Sequence, residues 1–110
     1  MNQTPLLEET TALIVRDLNL ETPAHLVDEA ALLKYLSEVV AEMITNKLDL
    51  LMSTLYRLDV DEKKINKALQ HGQPEAANIA LAKLIIERQK KRIETKRAYV
   101  VNKKNLFEEE

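Results

Sequence analysis

The chain has 110 residues, 45% hydrophobic, 31% charged and 4% aromatic, with one glycine, three prolines, no cysteine and a formal charge of −2. One glycine cannot furnish a phosphate-cradling loop, a dinucleotide fingerprint or a run of tight hairpins. Without cysteine there is no disulfide framework, thiolate zinc site or cysteine nucleophile.

Residues 1–22 are ambiguous. Leu6, Leu7, Leu13, Ile14, Val15, Leu18 and Leu20 suit one side of a short helix or an extended arm. The β-branched pair in TALIV leans towards a strand, but a lone strand has no partner within this chain. The segment is expected to be a loosely ordered arm docked on the helices or on a partner. It lacks the basic start and long apolar run of a signal peptide. No stretch has the roughly 18 consecutive apolar residues of a membrane span, and the expected location is the cytoplasm.

Thr22-Pro23 reads as an N-cap followed by a first helical residue, giving a single domain over residues 23–102. Leu36, Val40, Ile44, Leu48, Leu51, Leu55 and Leu58 follow at steps of three and four. That is one helical stripe. Neither glycine nor proline interrupts residues 24–71, so one helix over about 24–58 is predicted, with a weak point at Thr45-Asn46. Asp59 and Glu62 have the spacing of a capping box, opening a short helix over about 60–70. Gly72 is the expected left-handed stop, and Pro74 opens the last helix, about 75–100. In that helix Ile79, Ile86, Ile93 and Val100 recur every seven residues, like the a positions of a heptad. The matching d positions, Ala82, Gln89 and Lys96, are poor. Residues 103–110 read as a frayed acidic tail.

The predicted fold is all-α: an antiparallel hairpin of two long helices, with limbs of roughly 35 Å, joined through a short helix. So few helices leave much apolar surface uncovered, so dimerisation is expected to complete the core. The candidate dimer interface is Leu36, Val40, Ile44, Leu48, Leu51 and Leu55.

Catalytic chemistry finds little support. His25 and His71 are 46 residues apart, without a metal-binding spacing. Ser37 and Ser53 have no histidine at a helical offset that could act as base. Asp59, Asp61 and Glu62 could join Asp49 or Glu42 around a cation, but capping accounts for Asp59 and Glu62 without a metal. Asp17, Asn19, Glu21 and Asp28 only partly match a calcium loop, with Thr22 where glycine is required. No catalytic residue, metal or cofactor is assigned. Tyr35 and Tyr56 are expected at the core edge with wet hydroxyls. Arg57 is expected to tie the end of the first long helix to the following turn.

Charge is distributed unevenly. Residues 1–60 hold ten acids and four bases (−6); residues 87–104 hold eight bases and two acids (+6). Arg88, Lys90, Lys91, Arg92, Lys96 and Arg97 form the densest part of the basic block. They are the candidate phosphate contacts of a nucleic-acid-binding helix, with strongly salt-dependent affinity expected. Sparse aromatics argue against a single-strand stacking platform. The simpler reading is a helix end that complements the acidic front half.

The run Leu55-Tyr56-Arg57-Leu58-Asp59-Val60, followed by Leu84-Ile85-Ile86-Glu87-Arg88-Gln89, resembles a pattern in small uncharacterised all-helical bacterial proteins. It spans roughly residues 32–97. The resemblance implies an all-helical fold and no particular activity. The functional expectation is therefore a non-enzymatic helical interaction protein that dimerises, with nucleic-acid association as the alternative.

Overall fold

The computed structural model describes residues 4–20 and 28–108, with side chains over 6–20 and 28–99. Five helices run through them: α1 (Thr4–Leu18), α2 (Glu29–Asn46), α3 (Leu48–Arg57), α4 (Glu62–Leu69) and α5 (Ala77–Glu108). There is no strand among the described residues.

The N-terminal segment is a helix, not a loosely ordered arm. Pro5 falls in its first turn, where a missing N–H costs nothing. Thr10 and Ile14, four apart, are buried, and Leu7 and Leu18 pack against the core from the same side. The β-branched run favours a strand locally, but burying this stripe against α5 decides for helix. Glu21 and the Thr22-Pro23 start lie outside the described residues.

The predicted 24–58 helix is two helices. The break is at Lys47 (φ −144°, ψ 48°), next to the weak Thr45-Asn46 pair. Thr45 Oγ1 donates to Ala41 O at 3.2 Å, a back-bond that bends helices. Lys47 ends α2 and precedes α3, with no side-chain cap for the new helix. The bend divides the apolar stripe. Leu36 and Val40 on α2 and Leu51 and Leu55 on α3 are fully buried inside this one chain, and Ile44 is half-buried. Of the six residues expected at a dimer interface, only Leu48 is exposed. Packing of α2 on α5, with the fold back at Lys47, covers most of this stripe within the chain.

Two helices end in the same way. Asn19 (φ 55°) and Asp59 (φ 66°) are left-handed, a conformation that Asn and Asp tolerate better than most residues. Asn19 N donates to Arg16 O (3.3 Å) and Leu20 N to Val15 O (2.9 Å). Asp59 N donates to Tyr56 O (3.0 Å) and Val60 N to Leu55 O (3.1 Å). Each is a Schellman motif, with apolar residues at the two positions whose backbones join across the turn: Leu20 and Val15, Val60 and Leu55. The Asp59–Glu62 capping box is therefore not formed. Asp59 terminates α3, and Asp61 caps α4 by accepting from Lys63 N at 2.9 Å.

Gly72 is left-handed (φ 80°), but in the turn beyond α4, whose last residue is followed by an extended Gln70. Pro74 stands three residues ahead of α5, not inside its first turn. Helix α5 continues to Glu108, so most of the expected 103–110 tail is helical.

α5 is the spine, with 32 residues and a length of about 48 Å along a 56 Å molecule. α2 lies antiparallel along its first half, α1 antiparallel along its second, and α4 packs at its start. The heptad face is real and internal. Ile86 and Ile93 are buried, and so are the poor d residues Ala82 and Gln89, whereas Lys96 is exposed. α2 and α1 cover this face in succession within the chain. Among the described residues, no helix is long and apolar enough to cross a membrane.

Candidate functional site

The basic block of α5 does not form one surface. Arg88 Nε donates to Leu58 O at 3.1 Å, at the negative end of α3, and its Nη2 lies 3.5 Å from Asp59 Oδ2. Lys90 Nζ pairs with Glu29 at the start of α2 (2.8 Å). Arg92 Nη1 lies 3.6 Å from Asp17 on α1, and Arg97 pairs with Glu9 one helical stretch earlier. Four of the six candidate phosphate contacts thus answer acids of the same chain, on three different elements. Lys91 and Lys96 are exposed and form no ion pair among the described residues.

Where α1 ends on α5, a polar node is buried. Gln89 is fully buried. Its Nε2 donates to Asp17 Oδ2 at 2.8 Å, and its Oε1 accepts from Arg92 Nη1 at 2.9 Å. One amide thus bridges an acid and a base, which fixes which way round it sits. Arg16 Nε donates to Asp17 Oδ1 at 3.1 Å. Arg57 Nη2 donates to Asp17 O at 2.7 Å, so it caps α1, forty residues away, and not the turn beside it. Burial works against the charge on Asp17, but the hydrogen bonds from Gln89 and Arg16 and the charges of Arg16 and Arg92 outweigh it. Together they hold the carboxyl below its ordinary value. Sequence reading missed this node. The available signal was a glutamine at a d position of an otherwise apolar face.

The other candidates are dispersed. His71 and Ser53 are exposed, and Ser37 is buried on α2. His25 lies outside the described residues. Tyr35 is half-buried; Tyr56 is exposed and its hydroxyl reaches Glu62 at 3.5 Å. Glu42 accepts from Asn46 Nδ2 at 3.0 Å. Among the described residues, no group of three or more His, Asp or Glu side chains is placed to hold a metal ion.

Beside the node, α1 and α5 leave an open groove of about 770 Å³. Ala12, Leu13 and Ile93 line it with apolar surface. Arg16, Arg92, Lys96 and Arg97 surround that surface with positive charge, against the single acid Glu9. This size suits a ligand or a stretch of peptide, and its lining has no hydroxyl or imidazole to act as nucleophile or base. The chemistry on offer is recognition.

No protein-family model, curated protein or solved structure matches the chain.

Proposed function

We propose that this is a non-enzymatic interaction protein that works by binding protein chains, including a second copy of itself through α3. The observation that carries the reading is the apolar surface left on that short helix. Leu48 (45% exposed), half-buried Met52 and Tyr56 (52% exposed) follow one another at steps of four, and Leu50 (54% exposed) adds apolar surface on the other side of the helix. Residues four apart form one row on a helix. The inward face of α3 is already filled by Leu51, Thr54, Leu55 and Leu58. The apolar surface of Leu48 and Tyr56 is thus left exposed on either end of this row, and apolar surface gathered on one element is a usual contact for another chain.

The phosphate-binding alternative draws less support. Its donors point to different sides of α5, and four already have an acid partner.

Light scattering at tens of micromolar is expected to give a dimer mass. Leu48→Asp with Leu50→Asp should return a monomer with unchanged helicity, because both side chains are already in water. Leu51→Asp should instead unfold the chain, because it puts a charge into the core. A strictly monomeric parent protein would sink the self-association reading.

A further inference from the structure

The groove between α1 and α5 is separate from the α3 row, and its chemistry selects a different occupant. We propose that it docks an acidic amphipathic helix of a partner protein. This extends the protein-binding reading to a second surface and names the partner's chemistry.

The floor and the rim make different demands. Ala12, Leu13 and the edge of Ile93 gain only from apolar contact, whereas Arg16, Arg92, Lys96 and Arg97 outnumber the acids Glu9 and Asp17 that three of them pair with, and so leave the rim basic. A nucleic-acid backbone would satisfy the rim and leave the floor wet. An uncharged apolar peptide would fill the floor and desolvate the bases without partners. A helix with an apolar stripe bordered by Glu or Asp meets both demands, in the helix-in-groove mode.

The chain carries its own precedent. α1 is such a helix, bound to the adjoining side of α5. It presents Glu9 to Arg97 and Asp17 to Arg92, eight residues apart, with Ile14 buried between them. A partner would repeat this charge-and-stripe pattern on the open side. One base there, Lys96, has no ion pair among the described residues, and Arg16, though paired with Asp17, is mostly exposed. On α1 the lining runs from Glu9 to Arg16, a rise of roughly 10 Å, so about two turns of a partner helix are engaged.

The test is fluorescence anisotropy with the full chain and a labelled synthetic peptide of Leu and Glu, its leucines at helical i, i+3 and i+4 spacing. The controls are a permuted peptide of the same composition without a stripe, and a labelled DNA duplex. The striped peptide is expected to saturate at micromolar concentration and to bind at least about tenfold more tightly than the permuted one. Ala12→Glu places an acid on the floor, and Lys96→Glu inverts the free base. Each should weaken binding about tenfold with helicity intact, since both positions are exposed. Leu48→Asp with Leu50→Asp should leave it unchanged, which separates this result from that of the α3 reading. Equal binding of the permuted peptide or the duplex, no saturation, or indifference to Ala12→Glu would overturn the proposal.

Discussion

Gln89 does on α5 what no apolar residue at its position could do. Its amide donates to Asp17 and accepts from Arg92, so two charged groups meet through a fully buried neutral one. The amide at that depth needs both partners, because an unsatisfied buried polar group costs about 1–3 kcal/mol. The arrangement makes Asp17 a pH-sensitive point. Its folded pKa lies below the ordinary 3.8, so its contribution to stability is fully present above that value and is lost as pH falls through the folded pKa. Asp17→Asn keeps an acceptor for Gln89 and removes the titration. Urea melts in the neutral range and again below the ordinary carboxylate range should therefore show a smaller acid loss in the variant than in the parent. An equal loss would mean that Asp17 is not held ionised by the node. The sequence marks Gln89 only as an oddity on an apolar face. Its partner Asp17 is 72 residues away, a separation that no local spacing rule can bridge.

At the scale of elements, the apolar periodicity is enough to predict helix over α2 to α5, but it leaves α1 as an arm and does not end the helices. The stripe from Leu36 to Leu58 predicts helix correctly on both sides of Lys47, and Thr45-Asn46 marks the weak point. Whether such a point bends depends on what the following turns can bury, and here Leu51 and Leu55 gain a core by turning inward. The terminations at Asn19 and Asp59 are more legible in retrospect. Val15 and Leu55 each stand four residues before a left-handed Asn or Asp, and an apolar residue follows directly. The capping-box reading failed at Asp59 because side-chain spacing alone does not tell a helix start from the end of the helix before it. These positions predict opposite effects of glycine and alanine. A β-carbon in the left-handed region costs about 1 kcal/mol, which glycine does not incur. Asn19→Gly and Asp59→Gly should hold or raise the melting temperature, whereas Asn19→Ala and Asp59→Ala should lower it by several degrees. The exposed Arg88–Asp59 pair is too solvated to reverse that order. A lower melting temperature for both glycine variants would contradict the left-handed assignment.

Over the whole molecule, α5 organises charge as well as apolar surface. The sequence shows an acidic front half and a basic block, and either mutual attraction or separate partners would fit that pattern. The structure brings them together: Glu9, Asp17, Glu29 and Asp59 reach Arg97, Arg92, Lys90 and Arg88, each pair joining α5 to another element. No pair is strong, since exposed ion pairs contribute about 0–1 kcal/mol each. Their sum nevertheless has a sign that salt can reveal. If the bases of α5 were an unpaired, self-repelling helix end, screening would stabilise the fold. With the bases paired across elements, screening removes attraction and destabilises it, and the Debye length shrinks from about 10 Å at 0.1 M to about 3 Å at 1 M salt. Sodium chloride raised over that range should lower the melting temperature by a few degrees. Reversing the Glu9–Arg97 pair, as Glu9→Arg with Arg97→Glu, should preserve that slope, whereas Glu9→Arg alone should flatten it and lower stability at low salt. A melting temperature that rises with chloride in the parent chain would show that repulsion along α5 outweighs its ties to α1, α2 and the end of α3.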